Sequence, residues 1–535
     1  MDRTLIGSEE IKQLPDDSDH WETITVPEDI ESLLIQRNQK HFGQAAGTPF
    51  TQPPLQADVG YKADGYAAEL ILNGQIDYTC MSKATSLFIK HLQKRTAVTL
   101  DGTITEEDIL HKLKHWDERT TTSPSGLHLG HYHCMWRDPQ LRPNDPNQEF
   151  VLMYQKSLLT ATTSMLNYAL KFGHTYDRWT KIVNVMLQKD PGNPRIHHLR
   201  IIHIYEADYN MLLAVKWRQA IHHAEDHKLL NAGMYGSRPG RSAHDPALLE
   251  VLQNEIYRMS MKSGINFDLD ASSCYDRILM SLATLSSRRI GMAPAPTLVN
   301  GLTLEKAKYH LKTTLGTSDQ FYTHSTQYPI YGTGQGSGNS PAIWCFLCSV
   351  LFDAFESKAH GAQFIDYNQT SRLIYMIGFV DDCTQRVNLF ESQSQPSSEK
   401  LISLMEQDAQ LWNDLLWASG GALEQSKCSY HLIESEWTAN GHPFLKGGKL
   451  PQCITLHKNE SPTRTKQKSN YDAHKTLGCF INPAYNRTQP WNAIRAKNES
   501  FLQLLETNFF TRSETWTFYT AIYLPSITYS LPITP

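Results

Sequence analysis

Residues 374–384 read Ile-Tyr-Met-Ile-Gly-Phe-Val-Asp-Asp-Cys-Thr, an apolar run of strand composition that ends in two adjacent carboxylates. No packing requirement calls for paired Asp side chains at the end of a buried strand. Held ionised there, they repel one another and lose hydration, and a divalent cation relieves both costs. A tight hairpin turn would also place Asp at this point, because its short polar side chain favours turns. The stretch therefore predicts a strand with either a metal-binding end or a polar turn.

Two further constellations lie upstream. Residues 266–277 read Asn-Phe-Asp-Leu-Asp-Ala-Ser-Ser-Cys-Tyr-Asp-Arg, and residues 334–341 read Gly-Gln-Gly-Ser-Gly-Asn-Ser-Pro. Together with Phe379-Val380-Asp381-Asp382, in this order and at these intervals, they resemble the palm of the reverse transcriptase domain of non-LTR (LINE-like) retrotransposons. The resemblance extends over about residues 115–530. It implies an α+β, right-hand polymerase fold with fingers, a palm whose antiparallel sheet packs on helices, and a partial thumb. The expected division is an N-terminal extension of unassigned role at 1–100, an N-terminal loop and fingers at 101–261, a palm at 262–484 and the start of a truncated thumb at 485–535. Neither an endonuclease nor an RNase H region is visible.

The register of the first catalytic segment follows from the resemblance. On a strand Asp268 and Asp270 point to the same face, so periodicity does not choose between them. In the family the metal-binding Asp lies five residues before an aromatic, which selects Asp270 with Tyr275 and leaves Asp268 as a buried neighbour. The resemblance then implies that Asp270, Asp381 and Asp382 hold two Mg²⁺ ions, with Mn²⁺ a possible substitute, about 3.5–4 Å apart. Tyr275 would lie over the nucleotide sugar, and Asp276-Arg277 would begin a helix running to Arg289. Gln335 and Gly336 would support the nascent base pair, ahead of a helix capped by Ser340 with Pro341 in its first turn.

Composition bounds the rest. A 535-residue chain is too long for one core. Its 40% hydrophobic and 20% charged content is that of a globular protein. The longest apolar stretch, residues 342–352, is too short to span a bilayer, so no membrane role is expected. Met1 is followed by polar and acidic residues rather than a signal-peptide core, and the nine cysteines are scattered, which together predict a nuclear or cytoplasmic setting. A net charge of −5 does not exclude nucleic acid, because a polymerase needs only a local basic channel.

Along the chain, helical patterns are expected at 82–94, 105–116, 149–172, 243–259 and 400–418. The Lys90–Arg95 stretch is a nuclear address or, more simply, a solvated helix face. His131, His133 and Cys134 lack a second ligand pair at zinc-finger spacing. In the segment 199–205, Arg200, with Arg195 as second choice, corresponds to the family's triphosphate-facing basic residues, although Ile201 replaces the usual Pro. A surface charge is the alternative for both. Residues 232–245 resemble a family segment in which Arg238, Arg241 and Ser242 contact sugar-phosphate, while a turn capped by Ser242 would look similar. Residues 292–330 read as a Pro-interrupted connection followed by strands. Cys345 and Cys348 read as core. Lys427 resembles a family lysine near the pyrophosphate. Lys446, Lys449, Lys458, Arg464, Lys466 and Lys468 form a basic insertion that either tracks nucleic-acid backbone or is a solvated loop. Residues 475–480 resemble the hairpin that holds the primer end.

The activity implied is RNA-directed DNA polymerisation, with an RNA template, a DNA primer and dNTPs as partners. An RNA-dependent RNA polymerase is a weaker alternative, since it usually has Gly before its paired Asp and Asp at the position of Tyr275. The alternative from another class is a domesticated, non-catalytic nucleic-acid-binding relic.

Overall fold

The computed structural model describes residues 10–14, 20–76, 78–137, 141, 145–313, 316–366, 368–388, 398–446, 453–458 and 461–533. Lys449, much of the 393–399 loop and the first nine residues lie outside them. The chain is a mixed α and β protein whose sheets are antiparallel or mixed. Among the described residues no helix is long and apolar enough to cross a membrane. The nine cysteines form no disulfide.

In chain order, the first long helix is α1 (Pro27–Phe42), with Pro27 in its first turn and Ile30, Leu34, Asn38 and Phe42 buried along one stripe. Helix α2 (Glu106–His115) begins in a capping box in which Thr105 and Asp108 exchange side-chain and backbone hydrogen bonds. Next come α3 (Gln148–Phe172), the hairpin β1 (Lys181–Gln188) and β2 (Leu199–Ile204), and α4 (Ala207–Asp226). The Ser/Pro/Gly-rich loop before Gly130 is tied to the start of α4. Ser125 donates its N–H and hydroxyl to Glu206 at 2.7 and 2.8 Å, and Ser123 Oγ accepts from Ala207 N at 2.9 Å.

Helix α5 (His244–Ser260) leads into strand β3 (Gly264–Asp270), which is buried except at Asp270. Asp276 and Arg277 do not begin the following helix. They close a short 3₁₀ turn, and α6 (Met280–Arg289) starts after an extended break at Ile278 and Leu279. The segment after residue 292 is also more ordered than its prolines suggest. Pro294 and Pro296 sit in the opening turn of α7 (Pro294–Glu305), where a missing N–H is harmless, and β4 (Lys308–Thr313) and β5 (Gly316–Thr323) follow.

Helix α8 (Ser340–Glu356) is capped differently from the expectation. Ile343 N bonds to Asn339 O at 3.0 Å, while Ser340 Oγ donates to Gly334 O at 2.9 Å and contacts Thr333 Oγ1 at 2.8 Å. Ser340 therefore ties the glycine loop to the helix. Strands β6 (Met376–Phe379) and β7 (Asp382–Asn388), helix α9 (Ser398–Ala418), and strands β8 (Ser429–Ile433) and β9 (Lys466–Lys468) continue the chain. A hairpin of β10 (His474–Thr476) and β11 (Cys479–Ile481) turns at Leu477 and Gly478, both at positive φ. Helices α10 (Thr488–Thr507) and α11 (Arg512–Phe518) lie near the C-terminus.

These elements form two compact units. The first comprises residues 1–230, 273–351 and 415–421, and the second 231–272, 352–414 and 422–535. The first holds a four-stranded mixed sheet in the order β2-β1-β4-β5, with β1 and β4 parallel. The second holds a five-stranded sheet in the order β6-β7-β3-β8-β9, antiparallel except for β8 and β9. Part of the basic insertion is thus not a solvated loop, because Lys466–Lys468 is an edge strand of this sheet.

Candidate functional site

The second unit brings the carboxylates together by strand register. β7 pairs with β3 so that Asp382 faces Asp270 directly and Thr384 faces Asp268. Directly opposed residues share a sheet face with Cβ atoms about 4.5–5.5 Å apart. Asp270, not Asp268, is thereby the partner of Asp382. Asp268 is buried at 4% exposure, accepts from Thr384 Oγ1 at 3.3 Å, and has His474 Nδ1 3.5 Å away. The Asp270 side chain, 29% exposed, is the one open to solvent.

Asp381 is delivered by the turn. Phe379 and Asp382 pair, so Val380 and Asp381 alone connect β6 to β7. Val380 has φ of 59°, a left-handed conformation that β-branched residues rarely adopt. Such a residue costs about 1–3 kcal/mol and persists only where its surroundings enforce it. The enforcement comes in part from residues 233–236. Tyr235 N donates to Gly378 O at 2.8 Å and Gly378 N to Gly233 O at 2.9 Å, which adds a short parallel bridge to the outer edge of β6. A Cβ on Gly236 would stand 2.5 Å from Val380 N, so this backbone approach requires glycine.

The electrostatics follow from that packing. Burial first, then Asp381, Asp270 and Asp268, push the Asp382 carboxyl up to about 6. Lys427 offsets part of this charge, its Nζ lying 3.2 and 3.4 Å from the two oxygens of Asp270. Among the described residues no three His, Cys, Asp or Glu side chains stand close enough to form a ready metal cage. As a donor set Asp270, Asp381 and Asp382 fit a hard divalent cation: all oxygen, all carboxylate, with the proton affinity of Asp382 raised by burial and by acidic neighbours that Lys427 only partly offsets.

Beneath the carboxylates lies a polar layer that sequence reading missed. Arg386, with no exposed surface, donates Nη1 to Asn266 Oδ1 at 2.7 Å and to Asn254 Oδ1 at 3.3 Å, with Glu250 Oε1 3.8 Å from Nη2. Asn266 Nδ2 bonds to Asn254 Oδ1 at 2.8 Å. Burial raises the Glu250 carboxyl, and Arg386 pulls it back down. Lys468 Nζ donates to His474 Nδ1 at 2.7 Å, and burial lowers both groups. The one visible signal was an Arg inside a strand otherwise suited to burial.

The other expected residues of this unit take varied places. Arg238 donates to Asn231 O and Met234 O, both at 2.8 Å, and so braces the 231–236 segment. Arg241 lies over the Tyr235 ring at 5.3 Å. Ser242 does not cap α5 through its hydroxyl; its N–H donates to Asp245 Oδ2 at 2.6 Å.

Tyr275, Gln335, Gly336, Arg195 and Arg200 belong to the first unit, the chain passing between units at Ser272 and Ser273. Gln335 bridges to Ile202, and His203 N donates to Gln335 O at 2.7 Å. This sets Gln335 and Gly336 beside β2, the strand that carries exposed Arg200. Thr333 N donates to Tyr275 O at 3.1 Å, and the half-buried Tyr275 ring stands edge-on to Trp344 at 6.4 Å. Arg195 stacks over Trp21 at 4.6 Å. His133 bonds Glu118 at 3.1 Å, and Cys134 Sγ donates to His131 O at 2.7 Å. No protein-family model matches the chain, and no curated protein matches it.

Proposed function

We propose that the chain is a reverse transcriptase of the non-LTR retrotransposon type, an RNA-directed DNA polymerase with a right-hand fold. The observation that carries the reading is the facing pair Asp270 and Asp382, with Asp381 presented beside them by a strained two-residue turn. The order of the three sequence constellations supports it, as does the shared placement of Tyr275, Gln335 and Arg200 in one unit.

Asp270, Asp381 and Asp382 would hold two Mg²⁺ or Mn²⁺ ions, which when bound supply activation of a primer 3′-hydroxyl and charge neutralisation at the triphosphate. The chain's own contribution is positioning. Register fixes Asp270 against Asp382, and Lys427 balances Asp270 when no other cation does. Arg200 offers a bidentate phosphate contact from a strand end. Tyr275 would discriminate at the sugar by occupying the space of a 2′-hydroxyl.

The Lys427 contact with Asp270 is the observation that favours a non-catalytic nucleic-acid-binding relic. Primer extension separates the two readings. The purified chain, given Mg²⁺, a homopolymer RNA template and a DNA primer, should incorporate dNTPs. Asp381→Asn, which keeps size and removes charge, should lower extension by about three orders of magnitude or more while the protein stays folded. Nucleic-acid binding without extension by the parent would establish the relic instead.

A further inference from the structure

The N-terminal stretch, to which sequence reading gives no role, reaches the turn that carries Tyr275. Arg37 and His41 stand one helical turn apart on α1, and Gln44 follows in the turn just past the helix's C-cap, Gly43. His41 Nε2 stands 2.9 Å from Asp276 Oδ2, and the Asp276 side chain is 6% exposed. Gln44 Nε2 lies 3.2 Å from His41 Nδ1. An amide nitrogen only donates, so His41 Nδ1 accepts and its proton sits on Nε2, aimed at the carboxylate. The opposite end of the same amide, Gln44 Oε1, accepts from Arg277 Nη1 at 3.3 Å. His41 in the last turn of α1 and Gln44 in the turn after it thus hold two consecutive residues, Asp276 and Arg277.

The grip is reinforced from below. Phe42 is buried edge-on to His203 at 5.1 Å, and its carbonyl accepts from Tyr331 N at 3.0 Å. Gly332, at φ of 91°, passes so close that a Cβ there would stand 2.8 Å from Asp276 Cα. Ser273, just before the turn, is itself left-handed at φ of 50°. A turn begun by a strained non-glycine residue needs external fixing. Arg37 Nη2 meanwhile donates to Leu199 O at 2.9 Å, next to Arg200.

We propose that α1 is a positioning element for the sugar-selecting ring: through His41 and Gln44 it clamps Asp276 and Arg277, and so fixes the orientation of Tyr275. The role assigned to Tyr275 rests on the polymerase reading, whereas the clamp itself does not. A buried carboxylate deprived of its donor would re-orient toward another partner and carry the preceding residue with it.

Two measurements on the full chain test this. The first is hydrogen exchange at Asp276 N and Thr333 N, which are bonded to Ser273 O at 2.9 Å and Tyr275 O at 3.1 Å. His41→Ala should speed exchange at both by roughly tenfold, and His41→Gln, which keeps a donor in reach, should restore protection. Leu34→Ala, which thins the apolar face of the same helix, should lower the melting temperature without that local change. The second is the ratio of dNTP to rNTP incorporation, which His41→Ala should reduce by roughly tenfold, within the loss of about a hundredfold that a misplaced contact group can cause. Parental exchange and selectivity in His41→Ala would overturn the proposal, as would the same local effect from Leu34→Ala. If the parent extends no primer, the polymerase reading falls, and exchange alone still decides whether α1 clamps the turn.

Discussion

In the first unit Phe42 stacks with Tyr309 and Tyr322, each at 6.4 Å, and the rings of His203 and Tyr205 complete the layer. In the second unit the corresponding depth holds Arg386, Glu250, Asn254, Asn266 and Asp268. Both layers are closed to water, yet one is built from ring contacts and the other from charge and amides. An aromatic layer fixes shape, because rings meet in few geometries. A polar layer fixes potential, because each buried group must be matched by a partner. Under the polymerase reading, the unit with rings carries the sugar-selecting residue and the unit with charges carries the metal ligands.

The sharpest way to break that contrast is in the polar layer. Arg386→Met removes the donor shared by Asn254 and Asn266 and the cation paired with Glu250, and should cost about 3–5 kcal/mol in denaturant unfolding. Tyr205→Phe, which removes one hydroxyl bonded to Thr333 O at 3.0 Å, should cost only about 1 kcal/mol. Equal losses would show that the two layers do not differ in kind.

Next in size is selectivity. Tyr275→Ala should admit ribonucleotides, narrowing the incorporation ratio by roughly tenfold or more, about 1.4 kcal/mol per factor of ten. Tyr275→Phe should discriminate like the parent if, as the polymerase reading has it, the ring and not its hydroxyl excludes the 2′-hydroxyl. An Ala variant as selective as the parent would remove Tyr275 from the sugar and weaken the Asp270 register chosen with it.

The smallest effect concerns pH. Asp382 is raised to about 6 in the folded chain by burial and by its acidic neighbours, from an ordinary 3.8. The folded state therefore binds this proton more tightly than the unfolded state. Its contribution favours folding below about pH 4 and is lost as pH rises through about 6. In metal-free protein Asp382→Asn should raise stability above that pH, by about 1–2 kcal/mol after allowance for solvent screening, with the gain vanishing near pH 4. Melting curves across pH check the sign, and a gain confined to acid would reverse the assignment.

Several helices were legible because periodicity and caps declare themselves, as in α2, where Thr105 and Asp108 stand at capping-box spacing, whereas α1 and α4 were not foreseen. The carboxylate pair was legible too, since two acids ending an apolar strand suit a cation or a turn and little else. Other features depend on contacts between distant segments, and no local pattern encodes those. Prolines at 294 and 296 looked like interruptions and instead open a helix. Ser340 had the chemistry of a cap, but the loop at Gly334 takes its hydroxyl. Arg386 and the His41–Gln44 pair have partners more than a hundred residues away in sequence, so their roles emerge only from tertiary packing.

The five-stranded sheet ends in β6 and β9, and neither edge offers a long flat row of open backbone groups. Residues 233–236 already bond to the β6 edge at Gly378, while β9 is three residues long and carries Lys466 and Lys468. Short, lysine-bearing or already paired edges discourage the addition of a strand from a second molecule. The backbone segment that enforces the Val380 turn thus also covers part of the β6 edge, and loosening it by substitution at Gly236 should promote association on concentration, read by light scattering.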